Sequence, residues 1–195
     1  MKNKIAELEN FLMKNLDEHR IAHSYSTLAT ALNLKKIFKL KISDIDIIIT
    51  AISHDFGKCM KYEDMLNLIL KEQIKLDEFE KKHKNLWHGH ISAHLLEKKF
   101  KIKKANILKA VKHHTTGHIN MSNLLKIIYI ADYVEPLRKH QIVDICQYKN
   151  IDTLLLEIIN KKLEYLKKNE QTAAVHPLIY KIQEKYNKKT KKQMQ

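Results

Sequence analysis

Apolar residues recur at helical spacing along most of the chain. In the segment RIAHSYSTLATALNL, the residues Ile21, Tyr25, Leu28 and Leu32 lie three or four positions apart, which places them on one face of a helix. The same periodicity continues in three further segments, NILKAVKHH, SNLLKIIYIADYVEP and DTLLLEIINKKLEYLKK, the last with Asp152 as its expected N-terminal cap. The pattern therefore predicts a chain built of helices.

The segment IDIIIT, residues 45–50, has a composition that also suits a buried β-strand. We predict a buried helix instead, because Ser43 and Asp44 precede it as a helix cap would and the segment lacks partner strands of similar character. The whole chain has only three glycines and two prolines, too few for the tight turns of an all-β fold. The fold class that follows is all-α, arranged as a helical bundle.

Composition and charge narrow the class of protein. The 195 residues, 44% of them hydrophobic, can bury the core of one domain. The only cysteines, Cys59 and Cys146, provide no disulfide framework, and no apolar run reaches the roughly 18 residues of a membrane span. With no signal-peptide pattern at Met1, we expect a cytoplasmic protein. Although the net charge is +14, the lysines are scattered, which favours a solvated surface over a nucleic-acid interface.

Polar residues that interrupt apolar faces are the candidates for chemistry. His23 lies within a helical apolar run, His54 and Asp55 end the isoleucine-rich helix, and Asp132 lies in an otherwise apolar helix. An isolated buried carboxylate is costly, so Asp132 requires a partner, either Arg138 in a salt bridge or a metal ion. The spacing alone leaves both open.

With two later histidines, these residues form a set of four imidazoles and two carboxylates from separate helix ends or faces: His23, His54, Asp55, His88, His114 and Asp132. Imidazole and carboxylate are ligands that suit iron, zinc, manganese or cobalt. One catalytic metal with an open position needs fewer ligands. Two metals that share Asp55 as a bridge would use all six.

The other histidines have plainer explanations. Four of them lie in polar, lysine-rich surroundings and are expected to be solvated: His19, His83, His118 and His140. His90 and His94 are four residues apart, which allows a two-histidine metal face. It equally allows one residue at the rim and one partly buried residue with a hydrogen bond.

Six motifs make the chain resemble a known family. They are RIAH ending at His23, HDFGK ending at Lys58, LWHG around His88, HHTTG ending at Gly117, ADYVEPLR ending at Arg138 and VHP around His176. In this order they resemble the YqeK-type symmetrical bis(5′-nucleosyl)-tetraphosphatases, which are HD-domain metal-dependent phosphohydrolases, from residue 18 to about residue 180. The chain departs from the family at Leu178 and Ile179, where a polar stretch with a threonine is common.

The resemblance implies a single HD-type helical domain over residues 1–195, with an HD core at about 18–140, C-terminal helices at about 150–187 and a basic tail at 188–195. It implies two metal ions, divalent or mixed-valence, held by the six residues; iron is expected first, and manganese, cobalt or zinc are alternatives. It also implies hydrolysis of diadenosine tetraphosphate to two ADP. The residues assigned to catalysis are His54, Asp55, Lys58 and Asp132, and those assigned to the nucleotide side are Arg20, His23, Lys58, His88, His114, Thr115, Arg138 and His176.

The expected mechanism is attack on phosphorus by a hydroxide that bridges two metals. Arg20, Arg138 and Lys58 would neutralise the polyphosphate, and a guanidinium binds phosphate with a rigid fork that lysine lacks. Asp132 and the hydroxide are both candidates for the general base. The metal ligands would be oriented by neighbours such as Glu135, although a glutamate at a helix end is as often structural.

Two other functions stay open at this point. One is a different HD-type hydrolase, acting on a nucleoside monophosphate, guanosine tetraphosphate or a cyclic dinucleotide. The other is a non-catalytic RNA-binding helical module, which the charge and the basic tail suggest. The expected partners are a dinucleoside polyphosphate substrate and ADP, without nucleic acid or membrane, and the oligomeric state is left open, a homodimer included.

Overall fold

The computed structural model describes residues 2–138, 143–168 and 175–194. Over these residues the chain forms ten α-helices and no β-strand, which confirms the all-α class. The helices are α1 (Lys2–Asn15), α2 (Glu18–Ile37), α3 (Asp44–Ser53), α4 (Tyr62–Lys71), α5 (Glu78–Lys82), α6 (Trp87–Lys98), α7 (Ala105–Lys112), α8 (Asn123–Val134), α9 (Ile151–Lys168) and α10 (Leu178–Met194).

The isoleucine-rich segment forms α3, as the helix interpretation predicted. This helix contacts α1, α2, α7 and α8, and Ile47, Ile49 and Ile52 are buried. Because neighbouring helices cover α3 on several sides, its sequence shows little polar alternation, and this is why its composition resembles that of a buried strand. The C-terminal end of α3 therefore lies inside the protein.

The innermost face of α2 differs from the apolar face that the sequence suggested. Tyr25 is 38% exposed, and the other members of that face are only partly buried: Ile21, Leu28 and Leu32. The buried side carries mostly small or polar residues: His23, Ser24, Thr27, Ala31 and Leu34. Small side chains allow α2 to pack closely against α3 and α8, so large apolar residues do not mark the deepest face.

Asp152 is not the cap of α9, contrary to the sequence prediction. The side chain of Asn150 accepts hydrogen bonds from the backbone N–H groups of Asp152 and Thr153, each at 3.0 Å. Asp152 lies in the first turn and pairs with Lys126 at 2.6 Å and with Lys189 at 2.7 Å. The carboxylate therefore ties α8 and α10 to α9.

One apolar cluster joins most of the bundle, from Leu8 in α1 to Tyr186 in α10. A smaller cluster, with Met65 and Ile69 facing Trp87 and Ile91, holds α4 against α6. Within the described residues, none of the helices combines the length and the apolar character that crossing a membrane requires.

Candidate metal centre

The bundle brings all six residues of the proposed ligand set to one place. They come from five parts of the chain: His23 from α2, His54 and Asp55 from the end of α3, His88 from the first turn of α6, His114 from the turn after α7, and Asp132 from α8. The first five are buried, and the side chain of Asp132 is 19% exposed. Helix ends that are distant in sequence therefore meet in the interior.

Two glycines allow the helices that carry these residues to approach closely. A side chain at Gly57 would bring its Cβ within 2.8 Å of the Cα of His88. A side chain at Gly89 would bring its Cβ within 2.6 Å of the backbone oxygen of Lys112. The turn after α3 can thus lie directly against α6, and α6 against α7, because neither contact has room for a methyl group.

Each of the four histidines directs its Nδ1 atom at an oxygen acceptor. The acceptor is a carboxylate for the first and a backbone carbonyl for the others: His23 to Glu135 at 3.1 Å, His54 to Ala51 at 2.7 Å, His88 to Asn85 at 2.8 Å and His114 to Val111 at 2.7 Å. An oxygen without a proton can only accept, so Nδ1 carries the proton in each neutral ring. The Nε2 atoms are then left with lone pairs.

These lone pairs face one another in two pairs. The Nε2 atoms of His23 and His54 are 3.2 Å apart, and those of His88 and His114 are 3.1 Å apart. Two unprotonated nitrogens cannot form a hydrogen bond with each other, and their lone pairs repel. A cation between them removes this repulsion, because imidazole nitrogen is a common metal ligand.

The two oxygens of Asp55 face different pairs of histidines. Oδ1 lies 3.4 Å from Nε2 of His88 and 3.6 Å from Nε2 of His114, whereas Oδ2 lies 3.7 Å from Nε2 of His54. Oδ1 is buried and has no hydrogen-bond partner among the described residues. An orphaned buried carboxylate oxygen is costly unless something positive approaches it, so the donor set fits a metal ion.

Asp132 completes the pair formed by His23 and His54. Its Oδ1 lies 3.0 Å from Nε2 of His23 and 3.8 Å from Nε2 of His54. The same oxygen accepts a hydrogen bond from Nη2 of Arg138 at 2.9 Å. Salt bridge and metal ligation, which the sequence offered as alternatives for Asp132, are therefore compatible in one geometry.

The environment affects the protonation of the ligands in different ways. Burial by itself would lower the pKa of His23, but its contacts with Asp132 and Glu135 raise it above the usual value. Burial lowers the pKa of His54 to about 4 and the pKa of His88 to about 3, so both rings are neutral at pH 7. Burial by itself would raise the pKa values of Asp55 and Asp132. The neighbouring imidazoles and cations nevertheless hold the pKa of each carboxyl well below its usual range.

Cations flank the cluster on two sides. On the side that we call the Asp55 flank, the ammonium of Lys58 lies 2.7 Å from Asp55 Oδ2 and Nη1 of Arg20 lies 3.7 Å from the same oxygen. On the other side, the Asp132 flank, Arg138 contacts Asp132 as described. The two arginines of the chain thus lie near different carboxylates of one cluster.

Lys162 is a residue of this site that the sequence did not reveal. Its ammonium donates a hydrogen bond to the backbone oxygen of Thr115 at 2.8 Å. Burial lowers the pKa of Lys162 to about 8, although the nearby carboxylate of Asp132 opposes this shift. Thr115 in turn places its hydroxyl 3.0 Å from Nε2 of His114. In the sequence, nothing distinguishes Lys162 from Lys161 next to it.

His176 is not brought to the cluster. Its Nε2 lies 2.8 Å from Oδ2 of Asp77, just before α5, and its ring packs 5.0 Å from the ring of Phe79. Together with Glu80, His176 and Asp77 form a separate polar group. The expected contact of His176 with nucleotide therefore finds no support in this arrangement.

His90 and His94 do not form a two-histidine metal face. Nε2 of His90, which is buried, lies 2.8 Å from Glu80, whereas Nε2 of His94 lies 3.8 Å from Glu72. Each ring thus has its own carboxylate. Among the histidines expected to be solvated, His19 is exposed, and His83 and His118 are partly buried; His140 lies outside the described residues.

Comparison with known proteins gives the same family as the motifs. The HD domain family matches residues 20–137. A protein named symmetrical bis(5′-nucleosyl)-tetraphosphatase from Bacillus subtilis (strain 168) is 30% identical over 161 residues, which cover 81% of this chain and 85% of that protein. A protein of the same name from Halalkalibacterium halodurans is 33% identical over 125 residues, covering 64% of this chain and 65% of that protein.

A solved structure agrees with the fold. A predicted HD superfamily hydrolase from Clostridium acetobutylicum, described as involved in NAD metabolism, matches with a TM-score of 0.80 and 25% identity, over 94% of this chain and 97% of that chain. The similarity thus extends beyond the segment of the HD domain match. The chain belongs to the HD-domain family of metal-dependent phosphohydrolases and, within it, to the symmetrical bis(5′-nucleosyl)-tetraphosphatases.

Proposed function

We propose that this protein hydrolyses diadenosine tetraphosphate at its central bond and releases two molecules of ADP. The names of its relatives support the substrate and the symmetrical cleavage. The cluster of histidines and aspartates supports a reaction at phosphorus, because neutral imidazoles and carboxylates hold the ions that phosphoryl transfer uses. Cations on two flanks support a substrate with several negative charges.

We further propose that the cluster holds two metal ions, with iron expected first and manganese, cobalt or zinc as alternatives. One set of ligands would be His23, His54 and Asp132, and the other His88 and His114. Asp55 would bridge them, because its two oxygens face the two sets separately. Bound ions would supply an activated water and neutralise phosphoryl oxygens.

The residues around the ligands would position the polyphosphate. Lys58 and Arg20 on the Asp55 flank, and Arg138 on the Asp132 flank, would each pair with phosphate oxygens. Arg20 and Arg138 offer parallel N–H donors that match phosphate geometry. A substrate with two equal halves extends in two directions from its central bond, and cations on both flanks suit that shape.

The observation that carries this proposal is the facing pairs of Nε2 atoms. Hydrogen bonds at all four Nδ1 atoms fix the lone pairs toward the centre, and four such atoms would not converge in a buried site unless cations held them together. In a site built for structure alone, an imidazole nitrogen faces a hydrogen-bond partner of another kind and not a second imidazole nitrogen, as His90 faces Glu80.

The test combines metal analysis with product analysis. Protein purified without added metal is assayed for bound metal and, with ferrous or manganous ion, for cleavage of diadenosine tetraphosphate, the products being separated by ion exchange. We expect about two equivalents of metal and ADP as sole product, and more than about 100-fold lower activity with clear loss of metal for His54→Ala. The exposed His19 provides the control, His19→Ala, which should behave like the parent.

Three results would contradict the proposal. ATP and AMP as products would exclude symmetrical cleavage. Intact diadenosine tetraphosphate, with cleavage of a nucleoside monophosphate, guanosine tetraphosphate or a cyclic dinucleotide, would show a different substrate class. A parent without bound metal, together with tight and salt-sensitive RNA binding that His54→Ala leaves unchanged, would favour the non-catalytic module.

A further inference from the structure

A cavity of about 580 Å³ opens beside the Asp55 flank. Its volume lies within the range of roughly 300–1,000 Å³ that is typical of small-molecule sites. We call the part lined by Arg20, Lys58 and His88, which all lie near Asp55, its inner end, and the part lined by Tyr62 and Lys84 its outer part. Two short segments of chain, residues 58–65 and residues 84–88, provide most of its wall.

The inner end of the cavity is part of the metal centre. Lys58 and Arg20 both contact Oδ2 of Asp55, and Nε2 of His88 lies 3.4 Å from Oδ1 of the same carboxylate. A phosphate group at this end would meet two cations and the candidate metal ligands together. The rest of the molecule that carries this phosphate would extend outward along the cavity.

The outer part presents an aromatic ring whose orientation is held by a neighbour. Tyr62 begins α4 and is 41% exposed, and the ammonium of Lys84 lies 4.5 Å from the centre of its ring. A lysine over a tyrosine ring is attracted by its π-face, which restricts the ring. Because the ring lines the cavity and is partly exposed, it is accessible to a ligand that occupies the cavity.

Both walls connect the ring to the metal centre over short distances. Tyr62 follows Lys58 by four residues, a span of at most about 14 Å. Lys84 precedes His88 by four residues, and the backbone oxygen of Asn85 between them accepts the Nδ1 hydrogen bond of His88. This upper limit on the separation is compatible with a nucleoside diphosphate whose terminal phosphate lies at the Asp55 flank.

We propose that Tyr62, held in place by Lys84, is the surface on which the base of one nucleoside diphosphate half of the substrate stacks. The inference rests on the proposed function, and it adds a base-binding residue that neither the motifs nor the comparisons name. A tyrosine ring stacks on any base, so Tyr62 contributes affinity for the nucleoside, while Lys58 and Arg20 contribute affinity for its phosphates.

The experiment measures binding of a product, which requires no turnover. Calorimetric titration of the metal-replete protein with ADP and with pyrophosphate separates the contribution of the nucleoside from that of the phosphates. The variants are Tyr62→Ala, Tyr62→Phe and, as matched control, Tyr180→Ala, which removes a tyrosine that is 50% exposed on α10 and does not line this cavity.

We expect Tyr62→Ala to weaken ADP binding about 10- to 100-fold and to leave pyrophosphate binding unchanged. Tyr62→Phe retains the ring and should bind ADP like the parent, as should Tyr180→Ala. Parental ADP affinity in Tyr62→Ala, or equal weakening of ADP and pyrophosphate, would overturn the proposal. The two proposals can fail separately. If the parent leaves diadenosine tetraphosphate intact while Tyr62→Ala still binds ADP more weakly than the parent, the proposed reaction is refuted and the stacking site is retained.

Discussion

Replacing Glu135 with glutamine should weaken metal binding while the fold persists. Glu135 is 2% exposed, and its two oxygens accept hydrogen bonds from two donors: Oε1 from Nδ1 of His23 at 3.1 Å and Oε2 from the backbone N–H of Leu137 at 2.8 Å. Glutamine has one oxygen and one NH₂ group. In the Glu135→Gln variant, a buried donor must therefore face another donor.

The expected size of the effect follows from this mismatch. A buried donor without an acceptor costs about 1–3 kcal/mol, and every 1.4 kcal/mol is a factor of ten in affinity. Even if the amide oxygen remains at His23, the negative charge that makes the ring a stronger ligand is lost. We expect the metal dissociation constant to rise about 10- to 100-fold, the range found for partners of ligating histidines.

The assay is a titration with cobalt or manganese in competition with a chelator, together with thermal unfolding of the metal-free protein. The matched control is Glu157→Gln on α9, where the side chain is partly exposed and pairs with Lys161 at 3.4 Å. An exposed pair of this kind contributes little, so the control should bind metal like the parent. Equal metal affinity for Glu135→Gln and the parent would refute the role assigned to Glu135.

Two further predictions concern the approach of helices and the pH dependence of stability. Gly57→Ala should lower both metal content and melting temperature, since its Cβ would clash with the backbone of His88; a parental metal content would contradict this. Burial would raise the pKa of Glu80, but His90 and the N–H of Asp77 lower it from 4.5 to about 2. The Glu80 carboxylate should therefore stabilise the fold fully above pH 4.5 and lose this effect as the pH falls toward 2. The free energy of unfolding in urea, measured between pH 5 and pH 2, should depend less on pH in Glu80→Gln than in the parent. Equal slopes of this free energy against pH in the two proteins would contradict the assignment.

Much of the candidate site was readable from the residues. Polar side chains in apolar helices are expensive, so His23, His54, Asp55 and Asp132 were conspicuous in the sequence, and the structure places them together. His176 was assigned by resemblance alone, and the structure places it beside Asp77 instead. The cost of burial thus marks four residues that the structure brings together, whereas the motif around His176 belongs to a residue with other neighbours.

The sequence by itself determined the helices and the polar residues at their ends, because helical periodicity relates residues only three or four positions apart. It could not identify Asn150 as the cap in place of Asp152, whose partners Lys126 and Lys189 are distant in the chain. Nor could it distinguish Lys162, because α9 carries lysines at many positions and only the packing of α9 brings this one to Thr115. Contacts between distant segments depend on how helices pack against one another, and that packing is decided by the tertiary structure.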